Sequence, residues 1–579
     1  MTNNQLNQKN NIRNVIIIVF SIACLLVCIT VLFPQIRRMI MDFAEQVAQK
    51  KASTYESWLK ALLSYAMGGI LLILFFDYCT LTSSGRTLAR KVKQEIYDCL
   101  SEINFKALIK PLVLMSVVYL LGFLTIIRAN FTYLDDLSWA IGSSREWYDS
   151  SRYIIVFLSY FIQPEIRLTD ISPIPQLIAV LILSCSSVLL VYILGKGKIT
   201  TVRLLASIPL GLSPYFLECA SYKFLACYMA LAIFASFFPF LFITRKKAFL
   251  FVSVVSLLVM CMTYQAATGF YMMIVVILCF QYWNNGEKSY KEIISFLLTT
   301  ALVFCFSLLF FKFFLMRPPY GDSDIMLHLP QLMSGILSNI KYYIITINND
   351  FGIIWKICIL LIFVLFISKS IYYSCRKKIL SFLISISVIG ISFILSYLLY
   401  LFLKEHFYAA RYMFGFGVLL AIISIYTVSD YKKIAILTVF ALNWCFFVFA
   451  FSYGNALADQ ARYADFRIGI LLNDLSSLYP DANKEDLSIQ FKNSIEFTPT
   501  IKNISKNNPV IEKLVPKRLG DSCWDYCYSL DYFKNMLFRN SNWRREYGDY
   551  NTLDLPEVLD SYYHTIKSDG KHVLVILKH

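Results

Sequence analysis

Two adjacent carboxylates, Asp135 and Asp136, stand in the stretch ANFTYLDDLSWAIGSSREWYDSSR, residues 129–152, directly after an apolar run that ends near Ile127. An ionised carboxylate costs roughly 2.5–3.5 kcal/mol at the middle of a bilayer on insertion scales, so such a pair is tolerated where it faces water or a polar cavity at a membrane boundary. Helical neighbours point about 100° apart, so two adjacent acids do not aim at one atom. One can act as a general base while the other caps a helix or binds a hydroxyl. Two loop aspartates that merely cap and solvate are the plainer alternative.

Other polar groups gather at boundaries of the same kind. Arg145 and Arg152 follow the acidic pair, Glu218 sits in PYFLECASY (214–222), and Tyr264 and Gln265 fall in YQAATGF (264–270). Lys312 and Arg317 close a long apolar run, and His406 and Arg411 lie in EHFYAARYMFGFG (405–417). A single cation at a boundary often only snorkels its charge into water. Carboxylates and cations converging from several segments are instead what a lipid-phosphate substrate needs: cations for the phosphate and a carboxylate for an attacking hydroxyl.

The elements that must position these groups are membrane helices. The chain has 579 residues, is 58% hydrophobic and only 16% charged, with a mean hydropathy of +0.58. That is well above the roughly 45–50% apolar content of an ordinary soluble domain and implies an integral membrane protein. Apolar segments of about 20 residues, enough to cross a bilayer, fall near 14–34, 58–79, 110–128, 174–195, 201–217, 223–243, 248–264, 267–282, 292–316, 352–371, 379–403, 412–429 and 433–455. The fold class expected is therefore an α-helical polytopic membrane protein with about 13 crossings, carrying a small α+β domain at its C-terminal end. The first segment ends in Phe33-Pro34 without a small-residue cleavage site, as an anchor does rather than a removed signal peptide.

Charge sets the orientation. The formal charge of +16 is spread in short Lys/Arg tracts between apolar runs, the pattern of cytoplasmic loops rather than of nucleic-acid binding. Arg86, Arg90, Lys91, Lys93 and Lys106 precede the third segment. Lys196 and Lys198, Arg245 to Lys247, Lys288 and Lys291, Arg376 to Lys378, and Lys432 and Lys433 fill every second later gap. The alternate gaps, 129–173 and 317–351 among them, and the tail from 456 then lie outside the cytoplasm. Arg37, Arg38, Lys50 and Lys51 go against this rule, leaving the topology of the first two segments open.

Three regions follow: an N-terminal pair of segments with a basic amphipathic stretch (1–109), a transmembrane catalytic body (110–455) with a large outer loop (129–173), and a soluble extracytoplasmic domain (456–579). In the outer loop, YIIVFLSYFI (153–162) is too short to span and fits a helix lying on the membrane face. In the tail, ADFRIGILLNDLSSL (464–478) has helical periodicity, while LSIQF (487–491) and HVLVIL (572–577) alternate as strands do. The tail carries no Gly-rich phosphate loop and no Asp-x-Asp motif for a nucleotide sugar. Of the 15 cysteines, only Cys523 and Cys527 lie in the tail. An oxidising location permits a bridge between them, although i,i+4 spacing on a helix is awkward for disulfide geometry.

The segment YLDDLSWAIGSSREWYDSSR resembles the bacterial Gtr family of O-antigen glucosyltransferases, polytopic membrane enzymes of the GT-C class in which an acidic pair opens the first large outer loop. DISPIPQL (170–177), PYFLECASY (214–222) and TYQAATGFY (263–271) follow in family order, with AARYMFGFG (409–417) a looser fit. The likeness covers about residues 110–455. Trp139 stands where family members often carry an Arg, and Ser151 where they carry a Gly.

The resemblance implies an inverting transferase that moves a sugar, commonly glucose, from polyprenyl phosphate to a hydroxyl of a surface polysaccharide. The site would face the periplasm or exterior at the bacterial cytoplasmic membrane. Carried onto this chain, Asp135 is the base and Asp136 supports it. Arg152, Arg411 and Lys312 are candidates for the donor phosphate, and Glu218, Tyr264 and Gln265 for the sugar. Cations that neutralise a phosphate leaving group make a metal unnecessary, so no metal or cofactor is expected. The partners implied are a lipid-linked donor such as undecaprenyl phosphate-glucose, a polysaccharide acceptor and the membrane, with donor synthesis and flipping done by separate proteins. An O-antigen polymerase or ligase and a lipid-linked sugar transporter are the other classes with this topology. An acidic pair opening the first large loop is less expected of a polymerase, and a transporter would be expected to show paired inverted halves with broken helices, which the sequence does not.

Overall fold

The computed structural model describes residues 52–142, 145–317, 327, 329–404, 406, 408–430, 432–480, 488–522, 540–541 and 548–578. The expected segment at 14–34 and the pair Cys523 and Cys527 lie outside these. The chain is mostly helical, with a small sheet at its C-terminal end.

Among the described residues, seven helices are long and apolar enough to cross a membrane, or up to nine when each bent pair counts as one crossing. The described residues thus supply fewer such helices than the thirteen segments expected, of which that at 14–34 lies outside them, and burial accounts for part of the difference. The segments at 223–243, 248–264 and 412–429 appear as shorter helices, Ala226–Phe237, Lys246–Cys261 and Gly415–Thr427. Every residue of Gly415–Thr427 is buried. A helix that is apolar all round and enclosed by protein need not match the bilayer's thickness, yet reads in sequence like one that does.

The helix Phe105–Ala129 packs by one face against Ile174–Leu194 and Lys433–Leu478 and leaves the other exposed. Small and hydroxylated residues let these helices approach, as expected where lipid removes the usual hydrophobic drive between helices. Tyr119 bonds Ser187 at 2.7 Å, and Thr125 donates to the Ala450 carbonyl at 3.1 Å. Gly454 is required at that crossing, because a Cβ there would stand 2.4 Å from the Thr125 backbone.

Two ends result. At one, Ser83–Ser101 turns 92° from the preceding helix Ala52–Leu81. Its Glu95 accepts from the backbone N–H groups of Lys247 and Ala248, both at 2.9 Å, and so caps Lys246–Cys261. The Lys/Arg tracts at 196–198, 245–247 and 376–378 lie at this basic end. At the other end are the loop 129–173, the bend at Ser213-Pro214, the turn at 263–269, the segment 396–414 and the C-terminal domain.

The helix Lys433–Leu478 runs unbroken for 46 residues, so the body and the tail share one element through the boundary expected at 455. Its Ala464, Ile468, Leu471 and Leu475, spaced by three and four, bury against Ile489, Phe491, Ile566, Val573 and Val575 of the sheet. The strands are β1 Ser488–Lys492, β2 Asn540–Ser541, β3 Glu557–Asp560, β4 His564–Ser568 and β5 His572–Leu577, in spatial order β2-β1-β5-β4-β3. β1 is parallel to β2 and β5, while β3, β4 and β5 are antiparallel neighbours. Of the strand-like runs read from the sequence, HVLVIL is β5, and the described residues 488–491 of LSIQF lie in β1.

Candidate active site

The two aspartates have opposite surroundings. Asp136 opens the short helix Asp136–Gly142 and is fully buried. Its Oδ2 accepts from the backbone N–H groups of Lys223 at 2.9 Å and Tyr133 at 3.3 Å, and its Oδ1 from that of Phe224 at 3.4 Å. Burial pushes its carboxyl up to about 8, against the pull of these donors, and the charge of Asp135 adds to the rise. Asp136 thus ties the 129–173 loop to the 223–224 turn, and its oxygens are engaged.

Asp135 is half-buried, and no described side chain or backbone amide hydrogen-bonds its carboxylate. Burial raises its pKa above the ordinary carboxylate range, while the charges of Arg411 and Arg152 draw it back down. It is a carboxylate within electrostatic reach of two guanidinium groups, an arrangement suited to a base beside an anion.

Arg411 owes its placement to Glu218. Pro214 starts the helix Pro214–Ser221 just past a 61° bend, and Glu218 is buried upon it. Its Oε1 meets Arg411 Nη1 at 2.8 Å and its Oε2 accepts from the Arg411 backbone N–H at 2.6 Å. Both oxygens therefore hold Arg411. The Tyr264 hydroxyl donates to the Arg411 carbonyl at 3.3 Å. The Arg411 guanidinium lies 4.9 Å from the Tyr412 ring and 5.7 Å from that of Tyr222.

Arg152 lies over the Tyr264 ring at 5.2 Å, and its buried Nε has no hydrogen-bond partner among the described residues. Gln265 donates from Nε2 to the Ser150 carbonyl at 3.2 Å. Ser151, at φ 60°, turns its hydroxyl to accept from the Arg317 backbone N–H at 2.8 Å. Asp135, Arg152, Glu218, Tyr264, Gln265 and Arg411 are therefore drawn into one neighbourhood. Lys312 stands exposed on the last turn of the Tyr290–Leu315 span. Trp139, at the position where the resemblance expects an Arg, packs edge-on to Trp147 at 5.5 Å and to Phe224 at 6.0 Å.

Sequence reasoning passed over two groups. Asp350 ends the helix Leu332–Asp350 fully buried and accepts from Tyr215 at 2.9 Å, Tyr408 at 3.2 Å and Lys513 at 2.5 Å. Its partners lie 58 to 163 residues away, so no local pattern announces it. Lys223 pairs with Asp170 at 2.8 Å. The only hint of that was that each lies inside or beside a family-like piece, DISPIPQL or PYFLECASY. Among the described residues, no group of three or more His, Cys, Asp or Glu side chains is arranged to hold a metal ion.

The helical body holds several helices able to cross a membrane and brings the Asp135 carboxylate within electrostatic reach of Arg152 and Arg411. A family model described as glucosyl transferase GtrII matches residues 124–422. That is just over half of the 579 residues, and the chain belongs to this family of glucosyltransferases. No curated protein and no solved structure matches it. A sugar donor and an acceptor follow from the family.

Proposed function

We propose that the protein transfers glucose, with inversion, from a polyprenyl-phosphate donor to a hydroxyl of O-antigen or another surface polysaccharide, on the outer face of the cytoplasmic membrane. The observation that carries this reading is the open carboxylate of Asp135 beside Arg152 and Arg411, when Asp136 and Glu218 have their oxygens engaged.

In this mechanism Asp135 takes the proton of the acceptor hydroxyl as its oxygen bonds to the anomeric carbon from the face opposite the phosphate. The bond from that carbon to the phosphate oxygen breaks, and its electron pair leaves with the lipid phosphate, whose charge Arg152 and Arg411 stabilise. Lys312 is a further candidate for the phosphate, and Tyr264 and Gln265 for donor contacts. Asp136 and Glu218 serve as positioning residues, for the base turn and for Arg411 respectively. Synthesis and flipping of the donor fall to separate proteins.

The test is the mass of the polysaccharide repeat unit in host cells expressing the wild-type chain, Asp135→Asn, or neither. One hexose per repeat added only by the wild type supports the transfer and the base. An altered chain length at unchanged repeat mass would point to a polymerase or ligase and overturn the reading.

A further inference from the structure

Asp135 is displayed from a four-residue turn clamped on both sides. On one side is Asp136, held by the amides of the 223–224 turn. On the other is Tyr133, fully enclosed, whose hydroxyl donates to the Leu514 carbonyl of the C-terminal domain at 2.8 Å. Between them Leu134 sits at φ 43°, the left-handed region that a leucine occupies only when its surroundings force it there.

The C-terminal clamp is itself anchored. Val510, Ile511, Leu514 and Val515 are buried in the main core of the body, not in the core of the sheet. The Val510 backbone N–H donates to the Asp350 carbonyl at 3.1 Å, and Lys513 pairs with the Asp350 carboxylate at 2.5 Å. The Leu514 carbonyl also accepts from Tyr453 at 3.4 Å, and the Arg518 guanidinium lies 4.7 Å from the Phe131 ring. This strap lies beyond the residues matched by the family model, 124–422.

We propose that the strap 510–518 positions the catalytic carboxylate: the Leu514 carbonyl, through the Tyr133 hydroxyl, holds the turn that presents Asp135. Tyr133 and Lys513 are then positioning residues and the tail is a working part of the transferase site. The proposal rests on Asp135 being the base.

Tyr133→Phe removes one hydroxyl and leaves the ring in place. In the full-length protein in membranes, the expected result is a roughly 10- to 100-fold fall in kcat, the scale of a catalytic group displaced by about an ångström. The donor KM stays unchanged, because Arg152 and Arg411 are not disturbed. The acid limb of the kcat profile moves to lower pH, as Asp135 becomes better hydrated while the same two cations face it. Hydrogen exchange over 133–140 rises while the spanning helices stay protected. Lys513→Ala, which loosens the strap without touching the turn, gives the same pattern more weakly, and Lys513→Arg restores activity. Tyr562→Ala, on an exposed face of the tail, leaves activity unchanged.

If Tyr133→Phe fails to fold, the lysine variants decide the matter alone. Less folded protein with unchanged kcat and pH profile per folded molecule would mean a purely structural strap and overturn the proposal. Full activity in Asp135→Asn would overturn the base assignment instead, so the two failures are distinguishable.

Discussion

The two ends of the molecule use the same charged residues in opposite ways. At the basic end Lys196–Glu287 and Arg245–Glu102 are solvated pairs, with side chains 31–61% exposed. At the site end Arg411–Glu218 is 12% and 4% exposed, Lys223–Asp170 has its lysine at 5%, and Lys513–Asp350 its carboxylate at 0%. Exposed pairs gain little, because water screens them and ordering two long side chains costs entropy. Buried pairs are costly to assemble and costlier still to break, and they fix geometry. The contrast has exceptions on both sides: Lys369–Asp430 is a buried pair at the basic end that joins Ile353–Tyr372 to the turn after Gly415–Thr427, and Lys502–Glu496 and Lys578–Asp560 are exposed pairs of the C-terminal domain. Charge at one end is thus spread over solvated loops, and at the other it is arranged around a single open carboxylate.

The largest expected effect is at that carboxylate. Asp135→Asn should lower transfer by about 10²–10⁴-fold, the range for removing a general base, with the amount of inserted protein unchanged. Hexose incorporation into the polysaccharide measures it. Next is Glu218→Ala, which strands the Arg411 charge without its partner. The cost is on the order of 3–5 kcal/mol for a buried pair, seen as a lower midpoint of thermal inactivation. Arg411→Ala should raise the donor KM about 10- to 100-fold, if the lost bond to phosphate is worth about 1.5–3 kcal/mol. Because the Arg411 charge draws the Asp135 pKa down, its loss should also move the acid limb of kcat to higher pH, the reverse of the shift expected for Tyr133→Phe. Smallest is Arg245→Ala at the basic end, expected to change neither activity nor the inactivation midpoint. A loss there equal to that of Glu218→Ala would collapse the contrast between the ends.

Much of this was legible before the fold. The apolar runs, the basic tracts, the two strands of the tail and the acidic pair are local features, set by composition or by periodicities of two and 3.6 residues. What escaped was long-range pairing. Glu218 reads as one more polar group near a boundary until the chain brings Arg411, 193 residues later, onto both its oxygens. Asp135 and Asp136 are chemically identical in sequence and separate only when the 223–224 amides close on one of them. The count of crossings is open to a related ambiguity: hydropathy does not distinguish lipid from protein as the apolar surroundings, so Gly415–Thr427, enclosed by its neighbours, reads in sequence like a span.

The unbroken helix Lys433–Leu478 makes the molecule a rigid instrument. At 1.5 Å per residue, its 46 residues reach about 69 Å, more than twice the roughly 30 Å of a bilayer's hydrocarbon. A domain carried on such a shaft cannot swing as a tethered lid does. It has a fixed height and a fixed rotational phase relative to the body. One residue inserted near 458 would lift the sheet by about 1.5 Å and turn it by about 100°, carrying β1 and β5 away from the strap. Four residues would nearly restore the phase while raising the sheet by about 6 Å. Rotational phase together with length therefore governs which relatives of this tail can be exchanged onto this body.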